Sequence, residues 1–443
     1  MKQAAYLFAF LISQCGLFAK DPQLIITGYQ PLAIHRVADT VHVFCNGQDI
    51  DYDGVYEQES GEKPAMWLMY DANTYSLLNV VIMQNGYFDV PFRPGLSKTR
   101  MYLPRGNKVE VYDLSKQELI DSSMFILPDP KSKITAIHVI TTKNSFGEAE
   151  MALALSHKTS FTGKGNMSVF SLITRQPLFQ TEIGINPQMI RSYYNLQSQL
   201  EFAILCEGTF GGKNSTLHTI NLTDPMQGMV YELGDTGNFF LIQDQLALTV
   251  MNGSHEIIPI NLSMKSLLPS IPVGTTGYDG PREIVLDSIQ SRVYVSTYAS
   301  DIRIGSSIDG TVLGLWNPKG KPEGMALINN TLWVCNAFKT GDYAPDSTIA
   351  LFSLDESTSI HEETPATKGS FLSLAGSSKV IQLPIDIEQA EYRVIDSKGA
   401  TVLRGMVEAS GKELSFDGLP IGLYVVTVHS AKFAYSALVL LGP

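Results

Sequence analysis

The chain has 443 residues, of which 44% are hydrophobic and 17% charged, and it carries a net charge of −12. Acidity on this scale argues against a nucleic-acid partner and against adhesion to anionic lipid through charge. After the N-terminal segment no stretch reaches the roughly 18 uninterrupted apolar residues of a membrane span, so no transmembrane span is expected.

Residues 1–19 read as a secretory signal peptide, with Lys2 as the positive start, Ala4 to Ile12 as the apolar core and Gly16 to Ala19 as a small-residue exit. Its removal takes away one lysine and no acid, so −12 becomes −13 for the mature chain. A lipid attached at Cys15 is disfavoured, because Gln14 stands where such a signal needs a small residue. The other three cysteines, Cys45, Cys206 and Cys335, occupy one place in three repeats. They read as small buried strand residues rather than a disulfide or a metal site.

Asp49-Ile-Asp51-Tyr-Asp53-Gly54 is the sharpest local constellation. Alternating carboxylates ahead of a glycine can converge on a hard cation such as calcium, although a helix-loop-helix calcium site would need a glutamate where Ser60 stands. Glu57 or Glu59 could complete a different loop, and the competing reading is a solvated acidic loop.

Two phrases recur along the chain. The first is a proline, an apolar residue three positions on, and then a strand ending in a small residue: Pro31 to Ile34 with Cys45-Asn46, Pro187 to Ile190 with Cys206-Glu207, Pro281 to Ile284 with Ser296-Thr297, and Pro322 to Met325 with Cys335-Asn336. The second is a short strand closing on Asp, Asn or Ser before a polar turn, near Tyr70, Tyr112, Phe170, Ile220, Ile260, Ile304 and Phe352, with 40 to 58 residues between copies. One such unit per copy matches a four-stranded blade, so seven copies predict a seven-bladed β-propeller over residues 20–362. The sixth copy is the least regular and leaves six or eight blades open. No segment has a convincing helical period; Met189 to Leu200 is the nearest candidate and fits a loop between strands equally well.

These phrases resemble bacterial surface propellers with YVTN-type repeats, a YVTN/YncE-like group, best carried by Pro281 to Val295 and Pro322 to Asp355. Leu205-Cys-Glu-Gly-Thr-Phe-Gly-Gly-Lys-Asn-Ser-Thr-Leu217 is similar to a glycine-rich phrase of exported propellers from Bacteroidetes-like bacteria, with Thr209 in place of the usual asparagine. The resemblance implies a scaffold more than an activity.

Residues 363–375 read as a polar linker, and 376–443 as a small β-sandwich of strands separated by turns at Gly399 and Gly422. The tail is similar to the C-terminal sorting domain of type IX secretion cargo at Asp396, Gly399, Leu419-Pro420, Gly422 and Tyr424. It departs from that pattern in lacking a Pro-Asn-Pro start and a basic end. The resemblance implies export across the inner and outer membranes, contact with the secretion machinery, and a secreted or cell-surface product.

The eight histidines show no metal-ligand spacing, and neither a Gly-x-Ser-x-Gly elbow nor a phosphate loop is present. Trp67 and Trp333 fall in repeating strands and read as packing between blades, whereas Trp316, before a turn, reads as an exposed contact. Phe210 and Lys213 follow one Cys-containing strand, Phe338 and Tyr343 another, so these four and Trp316 form the candidate ligand-binding set on one rim. The expected activity is noncatalytic binding of a surface protein or polysaccharide. The alternatives are a lactonase- or lyase-like propeller enzyme with a metal near the central channel, and a structural surface-layer component. A carboxylate or histidine cluster in the channel would favour the enzyme.

Overall fold

The computed structural model describes residues 21–51, 54–83, 86–88, 92–144, 147–222, 224, 228–307 and 310–354, and within the C-terminal segment 373–375, 380–382, 389–396, 401–408, 413–416, 418–420, 422–429 and 434–441. Residues 1–19, expected as a signal peptide, Asp53, and most of residues 363–375, expected as a linker, lie outside the described residues.

Residues 21–354 form a seven-bladed β-propeller. Blade 1 is the meander Pro31–Val37, Thr40–Cys45, Met66–Asp71 and Leu77–Ile82. Blade 4 repeats it with Pro187–Tyr194, Leu200–Cys206, Ser215–Asn221 and Met229–Gly234, and blade 6 with Pro281–Asp287, Arg292–Thr297, Asp301–Ser306 and Val312–Trp316. Blades 2, 3 and 5 begin at Gly95, Lys133 and Gly237. Blade 7 takes Lys321–Ile328, Thr331–Phe338 and Pro345–Ser353 from one end of the ring and its outer strand, Gln23–Ile26, from the other. Gln23 pairs with Leu351 and Ile26 with Thr348, so the N-terminal strand closes the ring. The proline phrases are therefore inner strands, the strands that follow them second strands, and all seven copies of the other phrase third strands. Met189 to Leu200 is a hairpin, not a helix.

The third strands end on Asp, Asn or Ser for a local reason. Asp71 Oδ1 accepts from the backbone N–H of Asn73 at 2.9 Å and of Thr74 at 2.7 Å, and Asp113 Oδ1 accepts from Ser115 and Lys116, both at 2.9 Å. Ser171 and Asn261 use their side-chain oxygens in the same way. Four residues on, Tyr75, Gln117, Arg175 and Lys265 all adopt left-handed φ between 52° and 62°, which reverses the chain into the outer strand. A short side chain that accepts these amides takes the place of a backbone turn partner, so Asp, Asn and Ser are selected here.

Apolar clusters fill every seam between blades. Trp67 packs with Phe44, Met101 and Tyr112 between blades 1 and 2, and Trp333 with Val43, Cys45 and Tyr70 between blades 7 and 1. Further clusters join blades 2 to 3, 3 to 4, 4 through 5 to 6, and 6 to 7. Both tryptophans are fully buried, and the three cysteines are buried and free. Burial pushes the Cys45 and Cys206 thiols up to about 12, which leaves them inert small hydrophobes. A blade has two apolar faces, so the ring hides both only when it is complete.

In the C-terminal segment, Gln389–Asp396, Thr401–Glu408, Gly422–His429, Ala434–Leu441 and Ser373–Ala375 make one sheet, while Val380–Gln382 pairs with Glu413–Ser415. Tyr424 and Val426 are both buried, as their spacing on one strand face predicts, and the Tyr424 hydroxyl donates to the Pro420 carbonyl at 2.9 Å. Among the described residues no helix is long and apolar enough to cross a membrane.

Candidate functional site: the channel and its proline-side mouth

Inner and second strands run antiparallel, with Pro31 opposite Cys45, Pro187 opposite Cys206 and Pro281 opposite Thr297. The first residues of the inner strands and the loops after the second strands therefore gather on one face, around one mouth of the central channel. Gln188, Arg282 and Glu323, each directly after a repeat proline, contribute to a polar collar there. Arg282 Nε donates to Glu323 Oε2 at 3.1 Å and its Nη2 to Oε1 at 2.8 Å, across the seam between blades 6 and 7. The Tyr298 hydroxyl donates to the same carboxylate, and the Arg282 guanidinium lies 4.6 Å over the Tyr298 ring. Burial alone would raise Glu323, but Arg282 and these bonds hold it below the usual carboxylate value. Across the mouth, Glu207 accepts from Gln188 and, at 2.6 Å, from Asn186 Nδ2, while Asn186 in turn accepts from Lys158. Burial raises Glu207 against the pull of Arg282 and Lys158.

Aromatic side chains stand around this collar. Phe210 and Tyr278 stack with centroids 6.1 Å apart and planes 13° apart, and they are 67% and 75% exposed. Tyr343 is half exposed and meets Phe338 at 5.5 Å and Tyr298 at 5.9 Å, with Lys321 Nζ 4.6 Å over its ring. Phe161, also exposed, covers Lys158 Nζ at 4.2 Å. The Phe210 loop is held rigid. Asn214 Oδ1 accepts from Thr209 N at 2.8 Å, the Gly211 N–H donates to Asp235 at 2.9 Å, and Gly208 sits at φ 77° where a Cβ would meet Asn214 Oδ1 at 2.4 Å.

Of the expected rim residues, Phe210, Lys213, Phe338 and Tyr343 do fall on this face, Lys213 being exposed at a left-handed φ of 51°. Trp316 does not join them at the surface. It ends the outer strand of blade 6, stacks on Phe352 at 4.9 Å and is buried, because the turn begins only after it, where Lys319 N bonds Asn317 Oδ1 at 2.7 Å.

Deeper in the channel, Arg93, Arg191, Glu283 and His35 face a cavity of about 520 Å³ whose other walls are Ala33, Phe239, Leu241 and Ile284. Burial pushes Glu283 up to about 7, against Arg93 and Arg191 and together with repulsion from Glu323. Burial, then Arg93, brings Arg191 down to about 10. Burial, then Arg191 and Arg93, lowers His35 to about 3, so this imidazole is neutral. Arg93 lies 5.2 Å over the Phe239 ring.

In the loop after the second strand of blade 1, Asp49 and Asp51 come together with Glu62, their ligand oxygens within 4.8 Å of one another. This is the one group of three metal-capable side chains among the described residues, and it completes with Glu62 instead of Glu57 or Glu59. The Gln48–Lys63 bridge is what carries Glu62 opposite the aspartates. Glu62 already accepts the N–H groups of Ile50 at 2.9 Å and Glu57 at 2.8 Å and the Tyr87 hydroxyl at 3.0 Å. The histidines are structural for the most part: His42 Nδ1 accepts from Trp67 Nε1 at 3.0 Å, and His157 bonds Ser168 Oγ at 2.9 Å.

Phe161, Tyr278, the Arg282–Glu323 pair and the channel charges were not singled out in the sequence, although Arg282 and Glu323 each directly follow a repeat proline. No protein-family model matches this chain, and no curated protein matches it either.

Proposed function

We propose that this chain is an exported, noncatalytic binding propeller that holds a polysaccharide on its proline-side face. The observation that carries the reading is the set of exposed aromatic rings, Phe210 stacked on Tyr278 and Tyr343 beside Phe338, standing around a mouth lined by paired charges and amides. Flat rings give sugar faces apolar contact, and the collar supplies directional donors and acceptors for hydroxyls. Export, the YVTN/YncE-like kinship and a sorting role for a sandwich-like tail rest on residues 1–19, on the repeat phrases and on the motifs around Asp396 and Tyr424.

The test is calorimetric titration of the mature chain with neutral and acidic polysaccharides, repeated with Phe210→Ala and Tyr278→Ala. Both side chains are exposed, so folding should be preserved while binding falls by about tenfold or more. Unchanged binding would overturn the assignment of the face, and binding to a protein partner only would replace the ligand class.

The enzyme alternative has one observation of its own: the channel carries Glu283 and His35 beside two arginines, among its apolar groups. A carboxyl titrating near neutrality suits a general base. Turnover of lactone or uronate substrates that is lost in Glu283→Gln would move the reading to a channel enzyme.

A further inference from the structure

We infer that the central channel binds a small monocarboxylate, its oxygens between Arg93 and Arg191 and its apolar body against Phe239, Leu241 and Ile284. Among the described residues neither guanidinium forms an ion pair. Arg93 donates only a long 3.5 Å bond to the Phe92 carbonyl, and its Nε is buried without a partner. Among the described residues no side-chain hydrogen bond of Arg191 is found. Elsewhere in the same channel the protein pairs its buried charge with care: Glu323 is bound on both oxygens by Arg282 and also by Tyr298. Guanidiniums half-buried in a channel are ordinarily matched by carboxylates. Two that face a shared cavity in this condition define an anion-recognition site.

The chemistry of the walls selects the anion. Arg93 and Arg191 against one ionised Glu283 leave a single positive charge in excess, which a monoanion balances and a dianion overshoots. Planar guanidinium matches planar carboxylate through two parallel N–H···O bonds. His35 Nε2, also buried without a partner, adds a neutral polar atom at the same level. The cavity of about 520 Å³ has Phe239, Leu241, Ile284, Met325 and Leu327 along its wall, which suits a ligand with a short hydrocarbon part. This site lies below the aromatic rim and does not depend on the polysaccharide reading.

The experiment is calorimetric titration of the mature chain with butyrate, with acetate and inorganic phosphate as comparison probes, at pH 8 and constant ionic strength. One equivalent of butyrate should bind, more tightly than either comparison anion. Arg191→Met and Arg93→Met should each weaken it by about tenfold or more, and without butyrate their thermal midpoints should equal or exceed that of the parent, because an unpaired charge has been removed. Glu283→Gln removes the competing carboxylate, so it should bind butyrate more tightly even if an arginine variant fails to fold. Absence of binding, preference for phosphate, binding that survives both arginine substitutions, or weaker binding in Glu283→Gln would each overturn the proposal.

Discussion

Arg282 grips Glu323 with two parallel N–H donors, and because the residues belong to neighbouring blades the pair ties the seam between blades 6 and 7 at the channel mouth. Their side chains are 21% and 13% exposed, so each charge depends on the other for solvation. Glu323→Gln or Arg282→Met alone should therefore cost about 3 kcal/mol, while the double variant should recover most of that loss. Urea unfolding of the two single variants and the double variant checks this, and additive costs would contradict it.

The turn between the third and outer strands of blade 1 should respond to a single atom. Asp71→Ala removes the acceptor for Asn73 and Thr74 and should lower the thermal midpoint, whereas Asp71→Asn keeps the oxygen and should lower it less. The carboxyl of Asp71 is itself held below its usual range, first by the Thr74 amide. Thermal denaturation of both variants gives the ranking.

Acid should destabilise the propeller from about neutrality downwards. Burial lowers His42, His157 and His218 to about 4 and His35 and His138 to about 3, with Arg191 assisting on the last two and Lys164 on His218. The unfolded chain takes up these protons near pH 6.5 and the folded one does not, so stability is full above 6.5 and is lost as pH falls towards 4. The loss is on the order of 1 kcal/mol per histidine per pH unit. Glu283, faced by Arg93, Arg191 and Glu323, acts with the opposite sign: raised from 4.5 to about 7, it gives stability below 4.5 that is lost as pH rises through 7. Glu207, also raised by burial, acts with the sign of Glu283, so five histidines stand against two carboxyls; the net slope is positive, and urea midpoints between pH 5 and 7 should rise with pH. A flat profile would show that the imidazoles reach solvent in the folded state.

Around Asp49 and Asp51 the loop should be held by Glu62 rather than by a cation. Backbone bonds from Glu57 and Ile50 keep the Glu62 carboxyl below its usual value and engage both of its oxygens. Glu62→Gln should expose residues 49–62 to limited proteolysis, and calcium should leave the parent pattern unchanged. Protection that requires calcium would restore the cation reading for this loop.

What could be read from the chain follows from what is local. The third strands announce themselves because Asp71, Asp113, Ser171 and Asn261 serve their own turns, and the same turn chemistry recurs in blade after blade. The starts of blades 2, 3 and 5 were obscure because Gly95, Lys133 and Gly237 stand there instead of the repeat proline. Gly95 leaves no room for a side chain, since a Cβ would come within 2.7 Å of Ile137. Trp316 was misplaced by a single residue of strand. The channel site was beyond reach of any window on the sequence, since Arg93, Arg191 and Glu283 come from three blades about a hundred residues apart and only the ring brings them together.

The pairing of Gln23–Ile26 with Pro345–Ser353 also sets an order of events. A chain made from its N-terminus exposes the edge of its first strand through the synthesis of all seven blades, and the partner is almost the last part of the ring to emerge. Until then the ring is open, and blade 7 lacks its outer strand. Folding becomes final only when the two ends meet.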